Sequence, residues 1–173
     1  MRAITHYASP LGRITMAADG EALIGLWFAN QRYFADTIGG AEETLHEDSH
    51  LSVFDDTRRW LDIYFNGNKP DFIPRLTLPQ NASLFRLCVW KHLLDIPYGH
   101  CVTYGELAKR VARDRGIARM SAQAIGGAVG HNPISIIIPC HRVVGSHGAL
   151  VGYAGGLDIK SALLALEKCD LKA

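Results

Sequence analysis

The 173-residue sequence predicts a mixed α/β protein of two domains, and three observations support that prediction. The first third alternates apolar and polar side chains between turn residues, which is typical of antiparallel strands. The second half repeats apolar residues at helical spacing. Between the two, a proline-rich stretch at residues 66–82 indicates a connection between domains. We therefore expect a first domain at residues 1–75, a linker at 76–82 and a second domain at 83–173.

Three strands are predicted in the first domain, at residues 2–8, 11–18 and 22–29. Their side chains alternate, and the turn signals Pro10-Leu11-Gly12 and Asp19-Gly20 separate them. Because the connections are short, the strands should form an antiparallel meander.

Helices are predicted where apolar residues share one face. They span His50 to Phe65, Ser83 to Ile96, Tyr104 to Val111, Ser121 to Val129 and Asp158 to Lys168. Thr103 should cap the third helix, with Glu106 completing a capping box, and Gly130 should be the C-cap of the fourth. The second helix should bury Leu84 and Trp90 on its apolar face. The third and fourth helices, joined by a tight basic turn, resemble a helix-turn-helix.

Composition indicates an ordinary globular protein, because 48% of residues are hydrophobic and 20% are charged. No apolar run approaches the roughly 20 residues of a transmembrane helix, and the N-terminal residues lack a signal-peptide core. We therefore expect a cytoplasmic protein without membrane association. Residues 1–75 carry seven Lys/Arg against eleven Asp/Glu, net −4, whereas residues 76–173 carry eleven against six, net +5. The basic half favours a polyanionic partner, although a solvated surface is also compatible with five charges.

The four cysteines, Cys88, Cys101, Cys140 and Cys169, form neither a CxxC pair nor a dense disulfide framework. We therefore expect reduced thiols. Because no Cys/His cluster has zinc-finger spacing and the first 82 residues contain no cysteine, we also expect no metal site.

The stretch Ile134–Val144 joins an apolar run to three reactive side chains. The run before Pro139 is rich in isoleucine, which predicts a short buried strand ending at the proline. Cys140, His141 and Arg142 follow at once. This arrangement could hold a nucleophile beside a proton carrier, whereas a buried structural cysteine is the commoner fate of a free thiol. The residues alone leave both interpretations open.

The fourth predicted helix consists mostly of alanine and glycine. Its small residues are Ala122, Ala124, Gly126, Gly127, Ala128 and Gly130. Each interior glycine costs about 1 kcal/mol relative to alanine, so we expect another surface to approach closely. That surface is either the protein core or a nucleic-acid groove. The upstream basic residues favour DNA; they are Lys109, Arg110, Arg113, Arg115 and Arg119.

Several motifs of the second half occur in an order typical of one known family. They are Thr103–Ala108, Gly126-Gly127-Ala128 followed by Asn132-Pro133, Pro139-Cys140-His141-Arg142-Val143, Gly152–Leu157, and Lys160–Leu164 with Glu167. Together they resemble the O6-alkylguanine-DNA alkyltransferases. The resemblance is strong over about residues 83–168. It is looser over residues 1–82, where it depends on Ser9–Gly12 and the helix containing Trp60–Phe65.

The resemblance implies a ribonuclease-H-like α/β first domain and a winged-helix-like second domain that carries the helix-turn-helix. It also implies DNA repair without a cofactor by a monomer. The damaged guanine is flipped out of double-stranded DNA, and its O6-alkyl group moves irreversibly to Cys140, with O4-alkylthymine as a second candidate lesion. The reaction requires a thiolate, and a free thiol with a pKa near 8.5 is only about 3% ionised at pH 7.

The resemblance also assigns roles to residues. His141 would take the Cys140 proton through water, Glu167 would orient His141, and Asn132 would link the glycine-rich helix to the active-site strand. Arg142 would brace the fold. Substrate and DNA contacts are implied for Tyr104, Arg119, Ala122, Gln123, Gly126, Tyr153 and Ala154. Among these, Tyr104 would donate a hydrogen bond to the guanine and so favour its extrusion.

Two positions depart from the family's pattern. Gln123 stands where the family usually has the arginine that fills the space of the flipped base, and glutamine lacks the charge and the planar fork. Ala154 replaces a serine hydroxyl that some members direct at the lesion. Because flipping a base costs free energy, the first departure predicts weaker repair of duplex DNA unless Arg119 compensates.

Two other functions compete with alkyl transfer. One is lesion binding without transfer; the family's non-catalytic members lack the cysteine, which is present here, but Gln123 keeps this alternative open. The other is a cysteine hydrolase that uses Cys140 and His141. Hydrolases usually bring these residues from distant segments, and a hydrolase would leave the helix-turn-helix unexplained.

Overall fold

A computed structural model describes residues 2–39 and 46–171, which form two compact units. The first unit contains the residues up to Asn81 together with Pro133–Ser135. The second contains Ala82–Asn132 and the residues from Ile136 onward. Strands dominate the first unit and helices the second, which confirms the predicted mixed α/β class. None of the helices in the described ranges is long and apolar enough to cross a membrane.

The first unit contains a four-stranded sheet of order β3-β2-β1-β4. Its strands are β1 (Arg2–Ser9), β2 (Gly12–Asp19), β3 (Ala22–Phe28) and β4 (His46–Glu47). The first three pair antiparallel, so the predicted meander is confirmed. Strand β4 pairs parallel with β1 and was not predicted, because two residues are too few to show alternation.

Helix α1 (Ser52–Phe65) packs against this sheet and confirms the predicted apolar face. Its buried residues include Phe54, Trp60, Leu61 and Tyr64. On the exposed edge, the Tyr7 hydroxyl of β1 donates a 2.7 Å hydrogen bond to Asp62.

The predicted strand before Pro139 is wrong. Only Ile134 bridges Leu26, where the Leu26 N–H donates to Pro133 O at 3.0 Å and the Ser135 N–H donates to Leu26 O at 2.9 Å. Beyond this bridge the chain turns, with Ile136 at φ +68°. Every residue from 134 to 138 is nevertheless buried. The isoleucine-rich pattern therefore indicated burial, which an apolar run alone cannot distinguish from a strand.

In its described residues, the second unit contains the four helices predicted there and a small sheet. These elements are α2 (Leu84–Leu94), β5 (Val102–Thr103), α3 (Tyr104–Asp114), α4 (Ala122–Gly130), β6 (Val143–Val144) and α5 (Leu157–Leu166). Strands β5 and β6 pair parallel, and α2, α3 and α4 pack on one another. A 3₁₀ helix at Cys140–Arg142 leads directly into β6.

The helix ends follow the capping predictions at one position and depart from them at another. Thr103 and Glu106 form the predicted capping box, in which the Glu106 carboxylate accepts from the Thr103 N–H at 2.7 Å. Gly130 is not the C-cap of α4: it is the last helical residue, and His131 takes the cap position. His131 has φ −91°, so this helix end needs no left-handed glycine.

The apolar face of α2 is only partly as predicted. Trp90 and Leu93 are buried, but Leu84 is 80% exposed. Burial along α2 begins at Val89, so its first turn extends beyond the packed core. The Trp90 indole N–H donates a 2.9 Å hydrogen bond to Ala128 O, which fixes α2 against α4.

Replacing Trp90 with phenylalanine should destabilise the second unit by about 2 kcal/mol, because Ala128 O loses a buried donor. Urea unfolding followed by circular dichroism measures this change. Leu84→Ala on the exposed start of the same helix is the matched control and should change stability by no more than about 0.5 kcal/mol. Equal losses in the two variants would contradict the assigned role of the indole.

Candidate active site

Cys140 begins the short 3₁₀ helix that follows Pro139. Cys140 is 3% exposed, and its backbone N–H donates to Ile138 O at 2.8 Å. The same helix continues into β6, which pairs with β5. The thiol is therefore fixed by a tight turn and a small sheet within the second unit.

Opposing effects act on the Cys140 thiol. Burial raises its pKa above the ordinary value, and this effect dominates. Hydrogen bonds from Asn132 and Tyr153, together with the positive charge of Lys160, lower the pKa and favour the thiolate. Asn132 also donates from its amide to Ile138 O at 2.7 Å, so it orients both the turn and the sulfur. The thiol is therefore protonated at neutral pH, and these three neighbouring groups can stabilise the thiolate when it forms.

His141 is a fully buried imidazole that contacts Glu167. Its Nε2 lies 2.6 Å from Glu167 Oε1. Burial lowers the pKa of His141 below its ordinary 6.5 despite the raising effect of Glu167, so the ring is neutral at neutral pH. Beside an ionised carboxylate, Nε2 carries the ring proton, which leaves Nδ1 as the atom that can accept a second one.

The Glu167 carboxylate is held by several donors. Arg142 donates from Nε to Oε2 at 2.8 Å and from Nη2 to Oε1 at 3.0 Å, and the Gly99 N–H donates to Oε2 at 3.1 Å. Arg142 also donates from Nη1 to Ile96 O at 2.6 Å. Burial alone would raise the pKa of Glu167, but His141 and Arg142 outweigh it and hold the pKa at about 2. Glu167 is therefore ionised at neutral pH.

Lys160 is a buried cation whose electrostatic role the sequence did not reveal. Its Nζ donates to Val143 O at 2.6 Å and to Gly152 O at 3.0 Å. Burial lowers its pKa to about 8, while the Cys140 charge acts in the opposite direction, so Lys160 is mostly protonated at neutral pH. Its spacing from Leu163, at i+3 on the apolar face of α5, is the signal that could have indicated an inward-facing lysine.

Tyr104 opens α3 and lies within the electrostatic range of the thiol. Burial and the Cys140 charge raise the pKa of its hydroxyl to about 12, so it stays a hydrogen-bond donor. That hydroxyl donates to Val151 O at 3.2 Å, and Lys160 Nζ lies 5.7 Å from the centre of its ring. A Cβ on Gly126 would lie 3.9 Å from the Tyr104 ring. Tyr104 thus stands between the thiol environment and α4.

One face of α4 that carries small residues is exposed to solvent, which favours the second of the two alternatives for that helix. Ala122, Gln123 and Gly127 are exposed, whereas Ile125 and Ala128 form the packed face. A Cβ on Gly127 would meet nothing within 4 Å. The core therefore does not require this smooth face, and a nucleic-acid surface remains the interpretation.

A groove of about 460 Å³ runs along α3 and the start of α4. It is lined by three of the basic residues noted in the sequence, Lys109, Arg113 and Arg119. Ala122 also lines it, whereas Tyr153 hydrogen-bonds to the thiol instead, and Ala154, the residue after Tyr153, is half-buried. The candidate residues thus form a buried reactive group and an exposed basic surface within the same unit.

The cysteines depart from the expectation that all four are reduced. Cys101 and Cys169 form a disulfide, while Cys88 and Cys140 are not paired. Cys101 lies two residues after Gly99, and Cys169 lies two residues after Glu167. Gly99 and Glu167 are hydrogen-bonded to each other. The two cysteines are 68 positions apart, so the pair left no local signal in the sequence.

Family models match both units of the chain. Residues 84–169 match the DNA-binding domain of 6-O-methylguanine DNA methyltransferase, and residues 3–78 match its ribonuclease-like domain. The methylated-DNA–protein-cysteine methyltransferase of Haemophilus influenzae is 39% identical over 164 residues, covering 95% of this chain and 85% of that protein. The protein of the same name from Mycobacterium tuberculosis is 40% identical over 166 residues, covering 94% and 92%.

Solved structures agree with these relatives. The crystal structure of Mycobacterium tuberculosis OGT in complex with DNA has a TM-score of 0.82 at 38% identity, covering 96% of this chain and 92% of that chain. An O6-methylguanine DNA methyltransferase from Methanococcus jannaschii has a TM-score of 0.59 at 28% identity, covering 96% and 94%. The expected architecture of a ribonuclease-like domain followed by a DNA-binding domain is confirmed.

Replacing Glu167 with glutamine should destabilise the protein by about 3–5 kcal/mol at pH 7, because the buried Arg142 loses its carboxylate partner. The folded-state pKa of Glu167 is about 2, below the ordinary 4.5. The stabilisation from its charge is therefore fully present above pH 4.5 and is lost as the pH falls towards 2. Urea unfolding at each pH should show the gap between wild type and variant narrowing over that range.

The exposed capping-box residue Glu106 offers the matched control. Glu106→Gln should cost no more than about 1 kcal/mol, since it weakens a surface cap and leaves no buried charge unpaired. A Glu167→Gln gap that stays constant from pH 7 to pH 2 would show that the carboxylate charge does not stabilise the fold.

Proposed function

We propose that this chain, which belongs to the 6-O-methylguanine DNA methyltransferase family, repairs DNA by moving an alkyl group from O6 of guanine to Sγ of Cys140. The observation that carries the proposal is the buried Cys140 thiol with Asn132, Tyr153 and Lys160 arranged to favour its thiolate. Each of these groups lies in the second unit, so the reactive site is complete in one chain and we propose a monomer.

The first step forms the nucleophile. The Cys140 proton passes through a water molecule to Nδ1 of neutral His141, which gives a thiolate and an imidazolium. Glu167 is already ionised and hydrogen-bonded to Nε2, so it stabilises the imidazolium charge as it forms. Lys160, Asn132 and Tyr153 stabilise the sulfur anion at the same time.

The second step transfers the alkyl group. The thiolate attacks the alkyl carbon, the S–C bond forms, and the C–O6 bond breaks with its electron pair leaving on guanine. Tyr104 is the donor that stabilises this guanine anion until it takes up a proton, because its high pKa keeps its hydroxyl protonated. The product is a thioether with no hydrolysable bond, so each protein molecule acts once. The same displacement applies to O4-alkylthymine.

The exposed surface of the second unit supplies the DNA contact in this proposal. The smooth face of α4 allows its backbone to approach the sugars and phosphates, and Arg119 with the basic groove beside α3 provides the charge. Gln123 on that face occupies the space of the flipped base. Residues 83–173 thus both bind the DNA and carry the reaction in this proposal, and we propose that the protein acts in the cytoplasm.

Lesion binding without transfer is not favoured, because Cys140 and its proton acceptor are both present. Incubation with duplex DNA containing O6-methylguanine should add one methyl group to Cys140 and restore one guanine per protein molecule. Peptide mass spectrometry locates the methyl group. Since Cys101 and Cys169 are bonded, Cys88→Ser is the control for the other thiol and should retain transfer, whereas Cys140→Ser should abolish it. An unmodified Cys140 in the presence of excess substrate would end the proposal.

Replacing Gln123 with arginine should speed repair of duplex DNA about tenfold, equivalent to about 1.4 kcal/mol, because arginine adds a charge and a planar donor in the vacated space. Reaction with the free O6-methylguanine base should not change, since no base is flipped. Gln123→Lys is the matched control, as it adds charge without the fork. An equal gain on both substrates would show that Gln123 does not act on base flipping.

A further inference from the structure

A second group of chemically reactive side chains lies between α2 and α3. Cys88 and His92 are four residues apart on α2, so they share one helix face, and Asp114 is the last residue of α3. The sulfur, a ring nitrogen and a carboxylate oxygen all lie within 4.8 Å of one another. None of the three belongs to the groups described around Cys140.

The distances within this group match those expected around a zinc ion. Cys88 Sγ lies 3.4 Å from Asp114 Oδ2, and His92 Nε2 lies 3.3 Å from the same oxygen. A tetrahedral ion with a Zn–S bond of about 2.3 Å and Zn–N and Zn–O bonds of about 2.0–2.1 Å separates its ligand atoms by roughly 3.3–3.6 Å. These two distances therefore fit a tetrahedral ion, and the third, between Cys88 Sγ and the His92 ring nitrogen, is no more than 4.8 Å.

The surroundings of each donor also favour a cation. His92 Nε2 is buried and lies 3.3 Å from Asp114 Oδ2, the same oxygen that accepts from Cys88 Sγ. A cation at the C-terminal end of α3 is favourable to the helix dipole, which Asp114 alone is not. Once Cys88 is deprotonated, it and Asp114 supply two negative charges to the ion, which the nearby positive charges of Lys91 and Arg115 partly offset.

We propose that Cys88, His92 and Asp114 bind Zn²⁺, with water as the fourth ligand. On binding, the Cys88 thiol releases its proton to solvent, and its S–H hydrogen bond to Asp114 is replaced by bonds from sulfur and oxygen to the metal. The ion joins α2 to the end of α3 and so stabilises the helices next to the basic groove. The sequence-based expectation of no metal site depended on Cys/His spacing along the chain, and such spacing does not register a ligand contributed by another helix.

Cobalt(II) is the probe for this site, because thiolate coordination gives a near-ultraviolet charge-transfer band and tetrahedral geometry gives visible d–d bands. Titration of the full-length protein should show one equivalent bound with both signatures, and Zn²⁺ should displace the cobalt. Cys88→Ser should abolish the charge-transfer band. Asp114→Asn, a conservative change at an exposed position, should weaken Zn²⁺ binding at least tenfold in competition with a chromogenic chelator.

Cys140→Ser is the control for the other unpaired thiol and should keep the band. Zn²⁺ should also raise the unfolding temperature of the wild type but not that of Cys88→Ser or Asp114→Asn. A wild type without the band, a band that persists in Cys88→Ser, or a band lost in Cys140→Ser would each overturn the proposal. Alkyl transfer by Cys88→Ser is measured separately and should be unchanged, so the outcome for the metal site does not depend on that for the transfer reaction.

Discussion

The buried carboxylate of Glu167 is the interaction on which the second unit depends. It joins the end of α5 to Arg142 and His141 in the 3₁₀ helix and to Gly99 before β5. A buried carboxylate without partners would cost several kcal/mol, so its two-point contact with Arg142 is what makes its burial possible. His141 and Arg142 together keep Glu167 ionised, and the ionised carboxylate fixes the tautomer of His141. The fold and the proposed proton transfer therefore depend on one set of hydrogen bonds.

The thiol depends on that arrangement because its own surroundings act against ionisation. Burial keeps Cys140 protonated, and Lys160 with two hydrogen-bond donors reduces but does not reverse this effect. In the proposed reaction, His141 therefore accepts the proton. A cysteine held in this way is protected from unselective oxidation, which attacks exposed thiolates, yet it can ionise when its substrate is in place.

Local patterns predicted the meander, the helices and the capping box, because each depends on neighbouring residues in the chain. The motif order also located Cys140, His141 and Glu167. Three features were inaccessible to such patterns: the turn at Ile134–Ile138, the Cys101–Cys169 pair and the Cys88–His92–Asp114 group. The turn could not be predicted because a buried turn and a buried strand can both have a run of apolar residues. The other two form only when segments distant in the sequence come together in the fold, so residue spacing within one segment does not predict them.

The exposed face of α4 has small residues that packing within the protein does not require. Gly127 has no neighbour that a side chain would strike, and the nearest atom to a Cβ on Gly126 belongs to Tyr104 at ordinary contact distance. Internal packing therefore does not explain why α4 has glycines at these positions, where alanine would make the helix more stable. A surface that approaches the helix backbone does explain it, and then Gln123 is the long side chain that meets that surface. In the proposed function, its uncharged amide, rather than the cysteine, sets how readily a lesion reaches the thiol.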